Sequence, residues 1–225
     1  MARKKIKKEA SEGNFATSLV LGVITAFVGL LIGVGALAVK PAAEVRNMPD
    51  EDKIEPKTVY YVIGNDRGGE YKALLRAFLE QKPGAIKLSE EDLNRWASDN
   101  FKFSKAKQGE EEGGFLTLKP NTPNFRIANG IMTIGMTVEV AAFGKSEKLR
   151  FQTSGVFVPA GGGYAFQSFD SYLGSAHLPS VGIAPVVSGT LYGVFENTEQ
   201  YPALNQAWMT LSNVSLEGDA LLLVR

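Results

Sequence analysis

The chain has 225 residues, with 24 basic and 24 acidic side chains, one histidine and no cysteine. The missing thiols exclude cysteine nucleophiles, cysteine-based zinc sites and iron–sulfur clusters, and no basic stripe interleaved with aromatics points to nucleic acid. The zero net charge hides a split: residues 1–14 hold five basic and two acidic side chains, a net +3, and the rest of the chain carries −3.

Residues 15–39, "FATSLVLGVITAFVGLLIGVGALAV", contain no charge. As a helix they would reach roughly 37 Å, more than the ~30 Å hydrocarbon core. A secretory apolar segment is shorter, about 7–15 residues, so a retained anchor is the preferred reading. The competing reading is cleavage after Ala38, because Ala36 and Ala38 form an A-x-A pattern. No cysteine is present for lipid attachment. The basic residues Arg3, Lys4, Lys5, Lys7 and Lys8 precede the span, and such flanks stay in the cytoplasm. The expected topology is a single pass through the cell (inner) membrane. The tail (1–14) is then cytoplasmic and the C-terminal domain periplasmic or extracellular. Gly22, Ala26, Gly29, Gly33 and Ala36 make one stripe of small residues, a candidate helix–helix interface for a homodimer.

Residues 40–57 are polar, proline-bearing and charged, and read as a linker. The domain then covers 58–225. "TVYYVI" (58–63) predicts a short strand and "GNDRGG" a turn cluster. Tyr71, Leu74, Leu75, Phe78 and Leu79 fall on one helix face, stopped by Lys82-Pro83-Gly84. In "LSEEDLNRWASDNF", Ser89 predicts an N-cap, with Asp92 placed close to a capping box. Glu90, Glu91 and Asp92 read as capping charges, and Leu93, Trp96 and Ala97 as the inward face. Residues 102–114 predict an exposed loop.

From Phe125 the period becomes two. Asn129-Gly130 is a hairpin turn. Met132, Ile134, Met136, Val138 and Val140 alternate with polar residues and glycine. "KSE" (145–147) predicts the next turn, "KLRFQTSGVFV" a strand, "PAGGG" another turn and "YAFQSF" a fourth strand. The result is an antiparallel meander with one apolar face. Residues 184–208 read as one or two helices, with Val187, Leu191, Val194 and Phe195 on one face. "VSLEGDALLLV" reads as a turn at Gly218-Asp219 before a final apolar strand. The fold class is therefore α+β: an N-terminal transmembrane helix, then a meander packed on amphipathic helices.

No pattern commits to catalysis, a metal or a cofactor. His177 reads as a surface turn. "FGKS" (143–146) lacks the first glycine of a phosphate loop, because position 139 is Glu139. "GSAHLPSVG" and "PAGGGY" lack the nucleophile-elbow spacing. Asn213-Val214-Ser215 is a glycosylation sequon, relevant only in a eukaryotic secretory pathway. Aromatic and methionine side chains crowd the meander. Plain core packing is the preferred account of them. The sharper one is a hydrophobic groove for a lipid or acyl chain, formed by Trp96, Met132, Met136, Phe151, Phe157 and Phe166.

Element order adds a resemblance. A basic tail and a spanning helix precede Leu88, Ser89, Leu93 and Asn94, which match an "L-S/T-x-x-x-L-N" helix start. Long strands follow, then "YLGSAHLP" and the closing "VSLEGDALLLV". This resembles the small membrane-anchored proteins of the YpmS type. More distantly it resembles AsmA-like and TULIP-like lipid-binding extracytoplasmic domains. The loop at 102–114 departs from their compact pattern. The resemblance implies a sheet-on-helix fold, lipid contact and no catalytic residues. The expected function is a non-enzymatic, membrane-anchored protein binding a lipid or an envelope partner. The alternative is an assembly factor acting as a protein-interaction module without a ligand.

Overall fold

The computed structural model describes residues 25–26, 29, 32–33, 35–64, 68–101, 116–142, 145–179, 189, 193, 196 and 199–225. It is α+β, with mostly antiparallel sheets.

The meander forms the larger sheet. Strands β4 (Leu116–Pro120) and β5 (Asn124–Ala128) share one edge of β6 (Ile131–Ala142), one beyond the other. Then follow β7 (Lys145–Ala160), β8 (Gly163–Leu173) and the two-residue β9 (Ala176–His177). The period-two pattern decides which face is buried. Met132, Ile134, Met136 and Val138 of β6 and Phe151 of β7 all lie in the core. Asn129 and Gly130 both have positive φ (53° and 72°), which fits the twist of a two-residue hairpin.

Two strand expectations need correction. "KSE" is not a turn: Lys145 pairs with Ala142, and Lys148 with Glu139. Lys148 stands exposed opposite Glu139, and Ser146 Oγ donates to Glu139 at 2.7 Å, so these polar residues need no loop. Residues 143–144, between the two strands, lie outside the described residues. The fourth strand is also longer than "YAFQSF". A register shift opposite Ser154/Gly155 leaves Phe169 as the extra residue of a bulge, exposed on β8.

The second sheet has the order β10 (Asn213–Glu217), β11 (Ala220–Val224), β3 (Ala85–Ser89). The central position of β11 explains its unbroken apolar run. Strand β3 is not predicted by the sequence, because "AIKLS" is too short to show a period.

Three helices pack on these sheets: α1 (Tyr71–Leu79), α2 (Glu90–Asn100) and α3 (Tyr201–Trp208). Ser89 caps α2 through a full capping box with Asp92. Glu90 does more than cap. It is 6% exposed, accepts from Arg126 Nη1 at 2.6 Å and from the Ile127 amide at 3.1 Å. Asn94 accepts from the Phe125 amide (2.6 Å) and donates to the Phe125 carbonyl (2.8 Å). It satisfies the free edge of β5 as another strand would.

On the opposite face of the large sheet lies a small parallel pair, β1 (Ala43–Val45) with β2 (Tyr60–Val62). Residues 40–57, read as a linker, thus contain a strand and a short 3-10 turn at Glu51–Lys53. Glu44 pairs with Arg150, and Ala42 is buried, which composition alone conceals. Gly135 makes room for this layer: a Cβ there would overlap the Tyr61 ring and stand 2.7 Å from its hydroxyl. Arg150 sits over the same ring, 5.2 Å from its centroid.

Burial pushes the Tyr61 phenol from its usual 10 up to about 12, against the pull of Arg150. The folded-state value exceeds the unfolded one. Its stabilising contribution is therefore complete below pH about 10 and is lost as pH rises to about 12. At pH 11.5 the Tyr61→Phe protein should have lost about 2 kcal/mol less than the parent, relative to pH 9. Urea melts at the two pH values measure this, and equal losses would clear Tyr61 of the effect.

Of residues 15–39, Thr25, Ala26, Gly29, Ile32, Gly33 and 35–39 are described, helical as far as Ala38. Among the described residues no helix is long and apolar enough to cross a membrane. The rest of the predicted span and the tail 1–14 lie outside them, as do the loop 102–114 and Val187, Leu191, Val194 and Phe195. Gly189, Gly193 and Glu196 are helical.

Candidate functional site

Three helices each bring an apolar face toward the two sheets, and these faces leave a gap. The gap is a cavity of about 400 Å³. Interiors pack with few voids larger than a water, and ligand sites span roughly 300–1,000 Å³. The volume therefore belongs to the second class.

Helix α1 contributes Tyr71, Leu74, Leu75 and Phe78. Helix α2 contributes Asp92, Leu93 and Trp96, and α3 contributes Leu204, Asn205 and Trp208. Ile134, Met136 and Phe157 of the large sheet form one wall, and Leu221 and Leu223 of β11 another. Aromatic contacts join neighbouring parts of the walls. Phe157 meets Trp208 at 5.5 Å and Phe166 at 5.6 Å, and Trp96 meets Phe101 edge-on at 5.3 Å. Trp208 Nε1 donates to the Tyr164 carbonyl at 2.7 Å, which fixes its ring.

The structure divides the six residues expected in a groove. Trp96, Met136 and Phe157 line the cavity. Met132 and Phe151 do not: both are fully buried in the core. Phe166 stands behind Phe157. The sequence reading missed Leu74, Leu75, Leu204, Trp208 and the two β11 leucines as lining. The available signal was the number of apolar helix faces, more than one sheet face can cover.

Asp92 is the one charged side chain in the lining among the described residues. Its oxygens accept from the amides of Ser89 (3.0 Å) and Glu70 (2.8 Å) and from the Ser89 hydroxyl (2.8 Å). It therefore serves the α2 cap. Tyr71 donates to Asp99 at 3.0 Å. Burial first, and the Asp99 carboxylate next, hold its phenol above the usual range.

The other candidates lie elsewhere. His177 is exposed on β9, 3.0 Å from Asp170 and edge-on to Tyr172. Among the described residues no three His, Cys, Asp or Glu side chains cluster as a metal site. Of the small-residue stripe, Gly22 lies outside the described residues. Ala26, Gly29, Gly33 and Ala36 are helical and exposed, and added Cβ atoms at Gly29 and Gly33 would meet nothing within 4 Å.

The end of that helix is held by the domain. The Ser175 amide, in the β8–β9 turn, donates to the carbonyls of Leu37 (3.1 Å) and Lys40 (3.0 Å). Its hydroxyl donates to the Pro41 carbonyl at 3.3 Å. Gly174 has φ +56°, and a Cβ there would overlap the Ala38 carbonyl.

No family model, no curated protein and no solved structure matches this chain.

Proposed function

We propose that this chain is a single-pass membrane protein whose extracytoplasmic domain binds a lipid without catalysis. The carrying observation is the cavity: ligand-sized and walled by aliphatic and aromatic side chains, with the Trp208 ring fixed by its contact with Phe157 and its bond to the Tyr164 carbonyl. The uncharged stretch 15–39 supplies the anchor and the basic residues before it the orientation. Lipid contact is also what the resemblance to the YpmS type implies. A reading as a ligand-free interaction module draws support from one feature, the exposed Phe169 at the β8 bulge.

Native mass spectrometry of the detergent-purified full chain tests the proposal. The expected spectrum carries a co-purifying lipid mass that disappears in a Leu75→Phe/Leu204→Phe variant. A ligand-free spectrum would favour the interaction module. The same spectrum reads the oligomeric state, where a dimer is expected if Gly29 and Gly33 bring two helices together.

The topology has its own test. A reporter enzyme fused after Arg225 should be active only outside the cytoplasm. Cytoplasmic activity would reverse the orientation. A mature N-terminus at Val39 would show cleavage instead of anchoring.

A further inference from the structure

The charge of the cavity limits what it can hold. A fatty acid or a phospholipid headgroup brings an anion, which needs a cation or several convergent donors at its seat. Among the described residues the lining contains no lysine or arginine. Its one charge is the Asp92 carboxylate, already occupied by three donors and negative toward any anion nearby. A carboxylate seated at such a rim gives up part of its hydration without a cation to replace it. The polar groups at the exposed rim are the neutral side-chain amides of Asn121 and Asn205. Amides offer both donors and acceptors, which suit a hydroxyl, an ester or another amide.

Building on the lipid-site reading above, we infer that the cavity selects an uncharged single-chain lipid. Its hydrocarbon fills the apolar volume, and its hydroxyl, ester or amide end sits at Asn121 and Asn205. Anionic lipids of the same chain length are rejected.

The two tryptophans of the chain, Trp96 and Trp208, both line the cavity. Bromine quenching of tryptophan emission therefore reports occupancy directly. The full chain in detergent is titrated at pH 8 with dibromostearoyl glycerol and, separately, with dibromostearate, which have the same chain and differ in charge. The neutral ester should quench at a concentration at least about tenfold lower, which is one decade of affinity. Quenching should be absent in the Leu75→Phe/Leu204→Phe variant. Asn205→Arg, placed on the exposed side of α3, should gain affinity for the acid and narrow or reverse the preference. Equal or tighter binding of the acid by the parent would overturn the inference and leave the lipid site standing. Quenching by neither probe, or equal quenching of the plugged variant, would overturn both.

Discussion

Phe151→Ala should destabilise the protein by about 3–5 kcal/mol, whereas Trp96→Ala should cost only about 1–2 kcal/mol and remove bound lipid. Both side chains are groove candidates in the sequence, and their surroundings in the fold separate them. Phe151 is 0% exposed and sits between β6 and β8, opposite Met136 and Leu173. Truncation there opens a void that a ladder bonded on both sides cannot close, so the transfer and cavity costs add. Trp96 already faces empty volume. Truncating it enlarges a cavity that exists, and what it chiefly removes is the edge-on packing with Phe101, an arrangement of about 0.5–1.5 kcal/mol. Denaturant melts of both variants, with lipid content read in parallel, give the comparison. Similar losses for the two would place Trp96 in the packed core and close the cavity as a site.

The meander was legible because its signals are local. Asn129-Gly130 sets a hairpin, and five alternating apolar residues after it leave only one register that buries them all. Helix α2 was legible for the same reason, since Ser89 and Asp92 stand three residues apart. What stayed hidden depends on long-range pairing. Strand β3 has three apolar residues, Ala85, Ile86 and Leu88, and gains its identity only from β11. Ala43–Val45 looks like linker until Glu44 meets Arg150, 106 positions away. The same holds for Glu90, read as one of three capping charges. Nothing nearby marks it as the partner of Arg126, because that pairing exists only once α2 lies along β5. The cavity was half legible. The methionines of β6 and the aromatics of β7 and β8 pointed to it, but which residues face a void depends on how three helices settle against the sheets.

The β8–β9 turn fixes how a membrane anchor would carry this domain, and Gly174→Val should release it. The last carbonyls of a helix have no partners within the helix. Here the Ser175 amide donates to Leu37 in the last turn, whose carbonyl also accepts from the Lys40 amide at 3.1 Å, and to Lys40 just past the helix, and the Ser175 hydroxyl donates to Pro41. The turn can approach so closely because residue 174 has no side chain. Valine would place a Cβ into the Ala38 carbonyl and would also have to adopt φ +56°, which costs a further ~1–2 kcal/mol. The hydrogen bonds most exposed to that strain are the bifurcated amide bond and the hydroxyl bond of Ser175. At about 1 kcal/mol each they amount to a gain in exchange rate on the order of 30-fold. Hydrogen exchange on the full chain should therefore show the Ser175 amide accelerated by that amount in Gly174→Val. The Ala43 and Ile63 amides, which bond Val59 and Val45, should follow if the β1–β2 pair loosens with the helix. Amides between β6 and β7 should change far less, because the core ladder does not run through this turn. Ser175→Ala removes only the hydroxyl bond and should give a smaller acceleration, roughly fivefold, as one bond of about 1 kcal/mol would. Unchanged exchange at Ser175 in the valine variant would mean that the helix is not held by this turn. The domain would then follow that helix by chain connectivity alone.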